Sequence, residues 1–209
     1  DYAKAPAKPT LDAEVAYEYS LPLQQREPQD RRVSAWDVRK AAYWNVLSGA
    51  FGHTYGHRSY ISWSRHSEQL RWGNDIPWHQ SLDAPGSFHV SYLKKLMESR
   101  PFLTRIPDQA VIARSPGDGM ERAAATRDSA GSYAMVYLPT GNPAIVRTGM
   151  LQGKEITAWW FNPREGSTRR IGRFPAGGVL EFVPPSRGED NDWVLVIDSA
   201  AAGYAAPGQ

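Results

Sequence analysis

The sequence predicts an α/β segment over residues 1–104, an all-β segment over 105–200 and a frayed tail over 201–209. Three observations carry this reading. Lys8 to Ala13 reads as a strand, Val33 to Ser48 as a helix and Gly52 to His57 as a second strand. Acids and aromatics gather where both strands end, the position at which α/β barrels place their chemistry. From about Pro107 the helical period gives way to short runs rich in Val, Tyr, Trp and Ile, separated by turn clusters. The first segment is therefore expected to form the last strands and helices of an incomplete (β/α)8 TIM barrel. The second is expected to form a C-terminal antiparallel β-sandwich of about eight strands.

Taken in order, the first helix has Ser34 as N-cap, Asp37 three positions on as an acidic capping-box partner, and Gly49 as its stop. A second helix runs from Ser87 to Ser99, with Phe88, Tyr92, Leu93, Leu96 and Met97 as its apolar stripe, and Pro101 ends it. Strands follow at Ala110 to Arg114, Ser132 to Leu138, Lys154 to Phe161, Val179 to Val183 and Trp193 to Asp198. The run Val194-Leu195-Val196-Ile197 lacks alternation, as expected of a strand buried on both faces. Trp159 and Trp160 are neighbours on one strand, so one should enter the core and the other face away. Arg164 is expected to anchor its turn through carbonyls or Asp198.

Composition removes several function classes. Twenty-four Lys and Arg against 22 Asp and Glu leave a net charge of +2, which provides no footprint for general nucleic-acid binding. With no cysteine there is neither a disulfide framework nor a thiol nucleophile. No apolar run is long enough to span a bilayer. A Gly-x-Ser-x-Gly elbow and a phosphate-cradling glycine loop are both missing.

In their order along the chain, several blocks resemble the apiosidase-like glycoside hydrolases, in which a TIM barrel precedes a small β domain often labelled collagen-binding. They are Lys8-Pro9-Thr10-Leu11-Asp12-Ala13-Glu14 with Tyr17-Glu18, Asp37 to Trp44, and Gly49 to Gly56. Ser99-Arg100-Pro101-Phe102, Pro107-Asp108-Gln109, Ala158 to Arg164 and Asp192 to Leu195 complete the match. The family's first six barrel strands, including the one with the acid/base carboxylate, have no counterpart, so the chain is expected to be the C-terminal portion of a larger enzyme. Two barrel strands cannot close a barrel of roughly 250 residues; taken alone, the chain is expected to be inactive.

Glycoside hydrolysis usually needs two carboxyl groups flanking the scissile bond. Glu14 stands at the end of the first strand and is the candidate nucleophile, since the resemblance places this segment on the seventh barrel strand. Glu18 is the alternative, either as nucleophile or as a hydrogen-bond partner of sugar hydroxyls. Asp12 reads as structural. Tyr17, His53, Tyr55 and His57 are candidate sugar contacts. Trp63 is the preferred stacking platform among Trp63, Trp72 and Trp78. His53 and His57 are four apart with Gly56 between them; on an extended chain they lie roughly 13 Å apart, too far for one metal ion. The resemblance implies a retaining enzyme with no metal or organic cofactor, acting on oligo- or polysaccharide after secretion or export to the periplasm. A non-catalytic module binding carbohydrate or collagen is the alternative.

Overall fold

The computed structural model describes residues 2–14, 16–21, 31–63, 65 and 76–209. Trp72 lies outside the described residues. Among the described residues there are three α-helices: α1 (Ala35–Leu47), α2 (Arg58–Ser62) and α3 (Pro85–Glu98). The strands are β1 (Leu11–Asp12), β2 (Gly52–His53), β3 (Arg105–Pro107), β4 (Ile112–Arg114), β5 (Ala124–Asp128), β6 (Tyr133–Leu138), β7 (Ala144–Arg147), β8 (Glu155–Asn162), β9 (Ser167–Pro175), β10 (Val179–Phe182) and β11 (Trp193–Ser199).

Six strands form an antiparallel sheet in the order β3-β5-β6-β11-β8-β9, and three more form the sheet β10-β7-β4. Alternation assigns the two faces of the large sheet. Ala134, Val136 and Leu138 of β6, Leu195 and Ile197 of β11, and Ile156, Ala158 and Trp160 of β8 pack against Ala144, Val146 and Phe182 of the small sheet. On the opposite face Tyr133, Met135 and Tyr137, with Val194 and Val196, pack against Tyr43 and Leu47 of α1 and Leu93 and Leu96 of α3. The result is three layers, with helices, large sheet and small sheet stacked in that order. Central β11 is buried on both faces, which is why its sequence lacks alternation. Trp160 enters the core between the sheets and Trp159 takes the helix-side face.

The expected partial TIM barrel does not form. Among the described residues the only parallel contacts are β1 with β2, two residues each, and a bridge between Glu18 and His57. Every other ladder is antiparallel. The physical reason lies in where apolar surface is available. A two-residue parallel pair offers no face on which α1 and α3 could bury their stripes. The Tyr-, Met- and Val-lined face of the large sheet does, so the helices dock there.

Buried ion pairs fasten the helices to that sheet. Arg39 of α1 has no exposed side-chain surface; its Nε and Nη2 donate to the two Asp192 oxygens at 2.8 and 2.6 Å. The Tyr137 hydroxyl donates to the same carboxylate at 2.9 Å. Burial opposes the Arg39 charge, and the Asp192 carboxylate outweighs burial, so the guanidinium pKa is raised. After α3, Arg100 makes the second clamp, a two-pronged pair with Asp198 at 2.8 and 2.8 Å. Arg164 holds its turn through the Asp190 and Asp192 carbonyls, at 2.9 and 3.1 Å, with Asp192 Oδ1 3.5 Å away. Asp198, the alternative partner expected from sequence, is taken by Arg100.

The capping box of α1 is formed in full. Asp37 N–H donates to Ser34 Oγ, and Ser34 N–H donates to Asp37 Oδ2 at 2.9 Å. Burial resists the Asp37 charge, but the Ser34 bonds, Lys40 and Arg31 outweigh it and hold the carboxyl below its usual range. A depressed carboxyl contributes stability that is present above its unfolded pKa and is lost as pH falls through the folded value. Asp37→Asn is therefore expected to cost about 1 kcal/mol at neutral pH. The difference from the parent should vanish in acid, as read by urea unfolding at pH 7 and pH 2.5.

Candidate functional site

The site begins where the parallel pair ends. Leu11 pairs with Gly52 and Asp12 with His53. Asp12 accepts a bond from Asn45 Nδ2 at 3.0 Å, which ties the pair to α1 and makes its role structural. Beyond the strands the two chains stay in register. Thr54 donates its hydroxyl to the Ala13 carbonyl, Glu18 N–H donates to Gly56 O at 2.9 Å, and Arg58 N–H donates to Glu18 O at 2.8 Å. Residues 13–14 and 16–18 thus lie alongside residues 54–58 at one end of the pair.

Two carboxylates stand there in opposite environments. Glu14 is exposed and accepts the Tyr17 hydroxyl at 2.7 Å. That bond raises the Tyr17 pKa and keeps its proton on the phenol. A Cβ on residue 56 would run into the Tyr17 ring, so Gly56 is what lets the ring approach the neighbouring chain. Glu18 is buried, and its Oε2 accepts the Tyr55 hydroxyl at 2.6 Å and the Gly86 N–H at 3.0 Å. Gly86 is the second residue of α3, after Pro85, and a Cβ there would collide with Oε2. Burial raises the Glu18 pKa, with Tyr55, Gly86 and Arg39 opposing it.

His57 is 4 % exposed and caps α2, its Nδ1 accepting the Ser59 N–H at 3.2 Å. Burial lowers its pKa, so the ring is neutral with its proton on Nε2. It stacks on Tyr19 with centroids 5.7 Å apart. Glu18, Tyr19, Arg32, His57, Ser81 and Pro85 line a cleft of about 500 Å³.

The sequence-predicted residues therefore divide. Glu14 with Tyr17, and Glu18 with Tyr55 and His57, come together at the end of the pair. His53 turns elsewhere; neither ring nitrogen has a partner among the described residues, and the ring lines an apolar hollow of about 720 Å³ beside Phe51, Val90 and Phe102. Trp63 caps α2 at a φ of 49°, is 64 % exposed, and meets Trp78 edge-on at 5.4 Å. Among the described residues no group of three His, Asp or Glu side chains is placed to hold a metal. Sequence reasoning missed Gly86 and Arg39, which support Glu18. The Pro85-Gly86 pair at a helix start was the available signal, because only glycine leaves a carboxylate room so close to the first turn.

Residues 1–104 match the family model described as "Apiosidase-like, catalytic domain", and residues 106–198 match "Putative collagen-binding domain of a collagenase". A solved structure named glycoside hydrolase is 38 % identical, with a TM-score of 0.88 over 95 % of this chain. The chain belongs to the apiosidase-like glycoside hydrolase family. A glycoside hydrolase family 5 protein from Bacteroides vulgatus ATCC 8482 is 36 % identical, with a TM-score of 0.89 over 97 % of this chain. This apiosidase-like chain spans 44 % of the length of each of those two relatives. A further glycoside hydrolase structure from the same organism, 15 % identical with a TM-score of 0.53 over 91 % of this chain and 36 % of its own, shares the fold alone. No curated protein matches this chain.

Proposed function

We propose that this chain serves glycoside hydrolysis of an oligo- or polysaccharide, with residues 1–104 carrying the chemistry and 105–200 acting as an accessory β domain. Glu14 acts as the nucleophile of a retaining reaction. The observation that supports it is the contrast between the two carboxylates. Glu14 is exposed and steadied by Tyr17, so it can meet a sugar. The Glu18 Oε2 is already committed to Tyr55 and Gly86. Glu14 attacks the anomeric carbon and the glycosidic bond breaks as a general acid protonates the leaving oxygen; water then hydrolyses the glycosyl-enzyme. That acid is not assigned to any of these 209 residues. Glu18 positions Tyr55 and the start of α3, and Trp63 offers an exposed aromatic face to a sugar ring. A polymer substrate implies work outside the cytoplasm, and among the described residues no helix is long and apolar enough to cross a membrane.

Proton NMR of the full-length protein acting on a panel of aryl glycosides tests the reaction class. A first-formed product with the anomeric configuration of the substrate supports retention. The opposite anomer, or no turnover on any member of the panel, refutes it.

A further inference from the structure

On the helix-side face of the large sheet, at its β9 edge, Thr157, Trp159, Arg170, Arg173, Asp198 and Tyr204 line a cleft of about 230 Å³. We propose that this cleft is a binding site for a carboxylated sugar unit, a uronate, separate from the Glu14 end of the molecule. The proposal extends the reading of the chain as a polysaccharide-acting protein, and its test reads binding alone.

The argument starts from β9. Arg170 and Arg173 are three residues apart, and on a regular strand they would face opposite sides. A bulge intervenes. Ala158 of β8 pairs with Gly172, while the next residue, Trp159, pairs with Arg170, so Ile171 is the extra residue. Ile171 packs into the core between the sheets. The bulge thereby brings both arginines to the Trp159 face, Arg170 opposite Trp159 and Arg173 opposite Thr157. The Arg170 guanidinium lies 5.8 Å from the Trp159 ring centre.

Neither arginine has a carboxylate partner among the described residues. The one acid in the cleft, Asp198, is engaged by Arg100 through both oxygens. The cleft thus presents two uncompensated guanidiniums beside an indole face, with the Thr157 hydroxyl and the Tyr204 ring closing it. Guanidinium forks match a carboxylate, and an indole face accepts the C–H side of a pyranose. The volume suits a single sugar ring. Arginines on an edge strand also deter pairing with another sheet, but that purpose needs no bulge to bring both to one face.

Isothermal titration of the 209-residue chain with trigalacturonate and with an oligomannuronate trisaccharide tests this. Binding of at least one is expected, weakened at least about tenfold by full methyl esterification or by 0.5 M salt. The double variant Arg170→Gln/Arg173→Gln should lose at least about tenfold in affinity with an unchanged Tm, because both side chains are exposed. The proposal is overturned by no binding of either uronate, by equal binding of the methyl esters, by an unaffected double variant, or by equal or tighter binding of hexa-aspartate. Because none of these readouts involves turnover, failure of the glycosidase reading would show separately in the NMR assay.

Discussion

Asp192→Asn is expected to cost about 3–5 kcal/mol of stability, since it leaves the buried Arg39 charge with only the exposed Asp190 carboxylate, 2.6 Å from Nη2, to balance it. At about 2–4 °C per kcal/mol for a chain of this size, the Tm should fall by roughly 6–20 °C. The size follows from the number of groups that converge. Asp192 is fully buried and takes two bonds from Arg39 and one from Tyr137, with Arg164 nearby. An amide keeps the shape and removes the charge that balances the guanidinium. Replacing both partners with apolar residues, Arg39→Met with Asp192→Leu, should recover a good part of the loss, because no unpaired charge remains buried. Thermal unfolding followed by circular dichroism measures both. A fall below 2 °C for Asp192→Asn would mean that the helical layer is not fastened through this pair.

Glu14→Gln is expected to lower kcat of the full-length protein at least about 10³-fold with KM little changed, as the loss of an attacking group acts on the transition state rather than on binding. Glu18→Gln should behave differently. Its amide oxygen can still accept from Tyr55 and Gly86, so the variant folds and retains most of the turnover. Its effect should fall on the pH profile, since the group with the raised pKa is gone. Equal losses from both variants would contradict the division of roles.

The two long helices and the central strands were legible because local chemistry agreed with their final packing. Ser34, Asp37 and Gly49 delimit α1 in the sequence as they do in the structure. α3 begins two residues earlier than its stripe predicts, because Pro85 suits a first helical position. Four strands escaped sequence reading for different reasons. β5 is built from alanines that pack between larger neighbours, β3 and β7 are short, and β9 is an exposed, arginine-rich edge. β5 and β9 lack the dense branched, aromatic pattern that marks a strand, and β3 and β7 are too short to display it. The error over the first segment has a similar cause. A strand, a helix and a strand in sequence do not say which surface the helix will cover, and here the larger apolar face belonged to the antiparallel sheet.

For the site, the cluster of acids and aromatics after β1 and β2 was visible, but the contrast between Glu14 and Glu18 was not. It depends on Gly86, which is 68 residues from Glu18 and reaches it only through the docking of α3. His53 shows the opposite failure: it lies in the expected run, yet its ring turns into an apolar hollow.

The most direct measurement of the central claim is rescue by azide. With the side chain of Glu14 removed in Glu14→Gly, a small anion can occupy its place and attack the anomeric carbon of an activated aryl glycoside. Turnover should return with millimolar azide and give a glycosyl azide of inverted configuration, while Glu18→Gly shows no such rescue. Rescue of Glu18→Gly instead, or of neither variant, would contradict the assignment of Glu14 as the nucleophile.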